Sequence, residues 1–251
     1  MHTRALLLVL SNMIIASCAR LAPETITLAP KLQSQYVLQH GHVAHDQPVV
    51  QTDLTVTAKS QLYASVFHSA GLNDADLSGD GGDEVDWTVG WNDHLLPANA
   101  HANLSLSYYD LTEVFQFPGD DLLVPQTEVW YEFPLAEHTV SPLIRGWAFM
   151  PVSGVEYSTW LVGSGVRHRW PIAERLAMEH AAVVAYEAGR LPDTDAGWLL
   201  DYSGSLGWEW SERVTLFIPG VRITDPLTRV RDGREFELVV WAGLSFTWSR
   251  E

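Results

Sequence analysis

Trp198-Leu199-Leu200-Asp201-Tyr202-Ser203-Gly204-Ser205-Leu206-Gly207-Trp208-Glu209-Trp210 decides the fold of this chain. Trp198, Leu200, Tyr202, Gly204, Leu206, Trp208 and Trp210 share one face of an extended backbone, and Asp201, Ser203, Ser205, Gly207 and Glu209 share the other. The period is two, which belongs to a strand and not to a helix. Glu235 to Trp248 repeats the pattern, with Phe236, Leu238, Val240, Ala242, Leu244, Phe246 and Trp248 opposed by Glu235, Glu237, Gly243, Ser245 and Thr247. Both segments exceed the ~5–6 residues usual for a soluble strand. Their rings cluster toward the ends of the apolar face, where indole and phenol groups settle at a membrane interface. The opposite face is too polar for a sandwich core. A closed antiparallel barrel in a bilayer satisfies both faces, with lipid outside and water or polar packing inside.

The rest of the chain fits that frame. Of its 251 residues 47% are hydrophobic, yet beyond the N-terminus no apolar run approaches the ~20 residues of a spanning helix. Nothing in the middle resembles a linker, so one barrel domain is expected over residues 20–251. A formal net charge of −16 disfavours nucleic acid or an anionic membrane surface as a partner of the chain as a whole and favours cations. Residues 1–19 read as an export signal, with Arg4 ahead of the apolar Ala5 to Ile15. Two readings of its end stay open. Ser17-Cys18-Ala19 offers small residues to an ordinary signal peptidase, whereas Ile15-Ala16-Ser17-Cys18 resembles a lipobox that would lipidate Cys18, the single cysteine of the chain.

About twelve strands follow. Ile26 to Leu38 alternates raggedly, and Gln39 to Pro48 reads as a loop carrying His40, His42 and His45. These histidines lack an acid or thiolate at standard spacing, so they are expected to titrate and not to hold a metal. Val49 to Ala58 and Gln61 to Ser69 form a hairpin around Lys59-Ser60. Asn73 to Glu84 begins like a calcium loop, but Val85 stands where the closing acid belongs, so it is read as a solvated tip. Glu84 to Asn92 alternates again, with Trp87 and Trp91 on the apolar face and Glu84 and Asp86 opposite. Thr127 to Phe133 opposes Glu128 and Glu132 to Val129, Tyr131 and Phe133. Leu143 to Met150 and Tyr157 to Arg169 direct Arg145, Arg167 and Arg169 inward. Arg175 to Ala188 is Ala-rich and could be helical, but its two-residue alternation assigns a strand, with Arg175, Glu179 and Glu187 inward. Short and long connections alternate, as periplasmic turns and external loops do. Asp93 to Ala102 and Pro134 to Pro142 are exceptions, being longer turns on the periplasmic side.

The run Pro48-Val49-Val50-Gln51, Leu54-Thr55-Val56, Leu62-Tyr63-Ala64-Ser65-Val66, an acidic Gly-rich loop and Glu84-Val85-Asp86-Trp87-Thr88-Val89-Gly90-Trp91 resembles the TorF family of outer-membrane porins over residues 33–115. Gln35-Tyr36-Val37 resembles the end of that family's first strand, and Gln39-His40-Gly41 stands where the family has an Arg-Gly pair. The resemblance implies an outer-membrane barrel of transport function with no established substrate and no catalytic residues. Leu244-Ser245-Phe246-Thr247-Trp248 is similar to the aromatic last strand that barrel-assembly machinery reads.

The expected lumen therefore carries Glu84, Asp86, Glu128, Glu132, Glu179, Glu187, Asp201, Glu209, Glu235 and Glu237 against Arg145, Arg167, Arg169 and Arg175. The expected lipid face carries Trp87, Trp91, Trp198, Tyr202, Trp208, Trp210, Phe246 and Trp248. Outer-membrane lipids, the assembly machinery and small solutes or cations are the partners these faces imply, with no cofactor. A small channel favouring cations is the first functional reading, since rings of one charge select the opposite ion. Two rivals stand beside it. One is a lipid-acting enzyme using His180 on the lipid face, although no nucleophile motif accompanies it. The other is a closed structural or adhesive barrel whose acids and bases pair and fill the interior.

Overall fold

In the computed structural model the described residues are 23–37, 43–72, 84–95, 99–110, 121–152, 158–189, 196–228 and 236–250. They form β1 (Pro23–Gln33), β2 (Tyr36–Val37), β3 (Val43–His45), β4 (Val49–Ala58), β5 (Leu62–Gly71), β6 (Glu84–Leu95), β7 (Ala100–Asp110), β8 (Leu122–Tyr131), β9 (Phe133–Leu135), β10 (His138–Pro151), β11 (Thr159–Ala173), β12 (Leu176–Gly189), β13 (Gly197–Ser211), β14 (Val214–Pro226) and β15 (Glu237–Ser249). Each long strand pairs antiparallel with its neighbours, and β1 pairs with β15, so twelve strands close into an all-β cylinder. Closure leaves no edge, as a backbone surrounded by hydrocarbon requires. β9 continues the line of β8 past Glu132 and pairs with the start of β10.

Alternation fixes which way each side chain points. Leu54, Leu104, Ile144, Val162, Leu238 and Val240 project outward and are exposed. Their sequence neighbours project into the lumen. Trp87, Trp91, Trp198, Tyr202, Trp208, Trp210, Phe246 and Trp248 all lie on the outward face, and Trp160 and Trp170 join them. Residues 176–189 are strand throughout. No helix among the described residues is long and apolar enough to cross a membrane; the strands do the crossing.

Several boundaries differ from the sequence reading. The first barrel strand ends at Gln33, and Tyr36–Val37 pairs with Val43–His45 in a separate two-stranded hairpin. The expected long turns near 93–102 and 134–142 are short, because pairing runs on to Leu95 opposite Ala100 and to Leu135 opposite His138. All turns of that side are therefore short, and the two chain ends meet there, with Arg250 N–H donating to Glu24 O at 2.9 Å. The calls on Cys18, His40, His42, the acidic loop 73–83 and Glu235 lie outside the described residues.

Candidate functional site

The lumen is the concave surface that the fold builds, and at mid-height its charges are tied together. Asp201 on β13 accepts from Arg145 Nη2 at 2.7 Å and from Arg222 Nε at 3.0 Å. Arg145 comes from β10, three strands away around the ring, so this contact is a chord across the interior. Arg222 Nη1 also donates to Val37 O at 2.7 Å, which extends the strut to the hairpin β2–β3. Nearer the short turns Arg167 Nη2 donates to Glu128 at 2.7 Å, and its guanidinium lies over Trp130, which stacks on His101. Arg145 lies 4.6 Å from the centre of the Trp147 ring, whose Nε1–H donates to Gln126. Fork-shaped, delocalised guanidinium groups suit such shared contacts better than ammonium groups do.

Exposure of the ion pairs falls from the short-turn mouth toward the middle of the lumen. Arg169 and Glu179, paired at 3.3 Å, keep 56% and 50% of their side chains accessible. Arg167 and Glu128 keep 39% and 24%, and Arg145 and Asp201 keep 16% and 12%. Val183, directly opposite Asp201, and Leu161, one rung beyond Arg145, are also inward and retain 1% each. The lumen is a funnel that opens on the short-turn side and tightens toward the long loops. Its tight end joins an apolar cluster, in which Tyr109, Leu122, Val124, Phe149, Leu161, Ala185 and Leu199 are backed by Trp147, to the buried acids Glu84, Asp86 and Glu187.

On the opposite wall the hairpin packs against the inner face. Tyr36 and Val37 are buried, Tyr36 lies against Phe67, and burial together with the Glu84 and Asp86 carboxylates pushes its hydroxyl well above the usual phenol range. That hydroxyl therefore stays protonated and hydrogen-bonds Glu84. Gln35 Nε2 donates to Glu237 at 2.7 Å, and the Ser34 backbone N–H bonds Val240 O. Gly90 and Gly220 leave room on the wall for rings: a Cβ on Gly220 would stand 2.0 Å from Trp241, and one on Gly90 would stand 2.5 Å from Tyr63.

The residues expected in the lumen divide by place. Glu84, Asp86, Glu187 and Glu237 face inward toward the loop end, and Asp201 and Arg145 sit in the middle. Glu128, Glu132, Arg167, Arg169 and Glu179 line the short-turn half; Glu132 lies 3.6 Å from His101. Arg175 is in the β11–β12 turn, exposed at the rim, where its carbonyl accepts from the Glu209 N–H, and Glu209 is exposed at the same rim. Two inward cations escaped the sequence reading. Lys31 stands in the ragged first strand over Trp241, and Arg222 follows the bulge at Ile218-Pro219, which obscures its alternation. His180 is on the outer face, but its ring nitrogen contacts His168 at 2.7 Å and not a hydroxyl. That arrangement provides no activated nucleophile.

A closed antiparallel cylinder with an apolar, ring-bordered exterior and a polar interior is a membrane-spanning β-barrel of the bacterial outer-membrane kind. The chain has the fold of an outer-membrane β-barrel. No family model matches it, and no curated protein matches it. Among solved structures it is similar to the COG4313 outer membrane channel from Pseudomonas putida F1, with TM-score 0.55 and 10% identity over 90% of this chain and 96% of that one. It is also similar to the NanC porin, with TM-score 0.54 and 12% identity over 88% and 98%, and to the KdgM porin, with 0.53 and 7% over 89% and 99%. The likeness is one of fold.

Proposed function

We propose that this protein is a narrow outer-membrane diffusion channel for small polar solutes that weakly favours cations, and that it is a TorF-like porin. The funnel carries the reading: a polar passage entered from the short-turn side and narrowed by the Arg145–Asp201–Arg222 strut. Asp201, Glu128 and Glu179 are ion-paired, whereas Glu84 and Glu237 take hydrogen bonds from Tyr36 and Gln35 instead of a cation. The Glu237 carboxylate, which no cation neutralises among the described residues, attracts cations at the narrow end. The test is planar-bilayer recording of the refolded protein across a KCl gradient. Conductance steps with a cation-signed reversal potential are expected, and anion preference would refute the selectivity.

A second reading, a closed barrel, rests on the apolar cluster at the loop end, where inward residues are as inaccessible as a protein core. Complete absence of steps from folded protein would select it.

A further inference from the structure

The outer wall holds a row of imidazoles that transport does not use. His138, His168 and His180 sit on the adjacent strands β10, β11 and β12. His138 Nδ1 lies 2.9 Å from His168 Nε2, and His168 Nδ1 lies 2.7 Å from His180 Nε2. Both contacts are N–H···N hydrogen bonds, so each ring passes its bond to the next. The three nitrogens do not converge on one point, and among the described residues no group of three ligands suits a metal ion. The row begins at the first residue of β10, and Trp170, which stacks on His138, is one rung nearer the rim. That rung is where interfacial rings mark the headgroup level.

The hydrogen-bond arithmetic fixes what the row can carry. With all rings neutral, three N–H groups supply two internal bonds, leaving one acceptor nitrogen at one end and one donor at the other. One added proton occupies that free acceptor and keeps both internal bonds. A second would set two N–H groups facing each other. A singly protonated row thus presents a donor at each end and a positive charge shared among three rings. On this face the register partners are Leu135, Val140 and Gly204, none of them charged. Tyr202 is the nearest ring beyond His180. Of the charged groups nearby, Glu137 is in the turn beside His138, Arg167 points inward to Glu128, and Arg169 and Glu179 pair on the inner face. Among the described residues the outer face thus provides no carboxylate counter-ion beside the row's centre, whereas the bilayer offers phosphate at this level.

We propose that His138, His168 and His180 form one anion-receiving site on the membrane-facing wall, which takes up a single proton and binds the phosphate of an anionic lipid at the short-turn rim. Charge-assisted hydrogen bonds to phosphate are the interaction expected of such a site. The test titrates the refolded full chain in neutral detergent with short-chain phosphatidylglycerol, phosphatidylcholine or inorganic phosphate at pH 5.5 and pH 8, counting bound molecules by native mass spectrometry. Phosphatidylglycerol should bind about tenfold more tightly at the lower pH, as one charge-assisted contact implies. Inorganic phosphate should compete weakly. His168→Gln, which interrupts the row, and His138→Gln, which removes only its rim end, should each abolish the pH dependence while keeping the heat-modifiable gel mobility of a folded barrel. Equal phosphatidylglycerol binding at both pH values, or full pH dependence in both folded variants, would overturn the proposal. Inorganic phosphate binding as tightly as the lipid would overturn the lipid assignment.

Discussion

Replacing Asp201 by Asn tests whether the strut holds the lumen together. The carboxylate accepts two charge-assisted hydrogen bonds, at 2.7 Å from Arg145 and 3.0 Å from Arg222. Such bonds contribute ~1.5–3 kcal/mol each. The three side chains keep between 12% and 22% of their surface, so water screens the pair in part and the lower figure applies to each. Asparagine preserves the volume but removes the charge shared by two guanidinium groups, and its NH2 cannot accept. A loss of about 3 kcal/mol is expected, with Arg145 and Arg222 then unneutralised and selectivity moved toward anions. Glu179→Gln is the control, because its pair with Arg169 is half exposed and such pairs contribute ~0.2–1 kcal/mol. Urea unfolding of the lipid-refolded barrel, followed by tryptophan fluorescence, measures both. The reasoning fails if Asp201→Asn unfolds within ~0.5 kcal/mol of the parent, the usual size of a surface effect.

Leu161→Ala removes a fully buried side chain from the tight end of the funnel; it should cost about 3 kcal/mol and raise single-channel conductance, so steps appearing only in this variant would mark the parent as closed. Ala136 occupies the β9–β10 turn with φ of 54°, a left-handed conformation that costs an L-residue ~1–2 kcal/mol. Ala136→Gly should therefore raise unfolding stability by up to about 1 kcal/mol, the rest returning as entropy in the unfolded chain, and a measured loss would contradict the strain.

The outer face of the barrel was legible because it has one solvent. Lipid demands apolar residues at every second position, and Trp198 to Trp210 obeys for its whole length. The inner face was legible only in part, since its environment changes along the axis. In the short-turn half, polar side chains such as Arg167 and Glu179 keep the alternation clear. Toward the loops the interior becomes dry, and alternation gives way to unbroken apolar runs: Trp160-Leu161-Val162, Ala182-Val183-Val184-Ala185 and Leu199-Leu200. A strand buried on both faces reads that way, so these runs were the available signal for the sealed end. Arg222 was hidden for a local reason, because the bulge at Ile218-Pro219 inserts one residue and so resets which side faces inward. The hairpin of Tyr36 and Val37 was hidden because two paired residues leave no period to detect.

The strands are not of one length. β4 and β5 have 10 residues each, while β11 and β13, on the far side of the ring, have 15. At ~3.3 Å per residue and a tilt near 45°, these walls stand ~23 Å and ~35 Å tall. The extra height is greasy, since Ile172 and Trp210 are exposed at its margin. Water would penalise that surface, so the cylinder must lean, or the surrounding leaflets must swell on one flank and pinch on the other. Such a lopsided molecule deforms its lipid annulus unevenly, and neighbours that prefer thick or thin membrane would gather on opposite flanks.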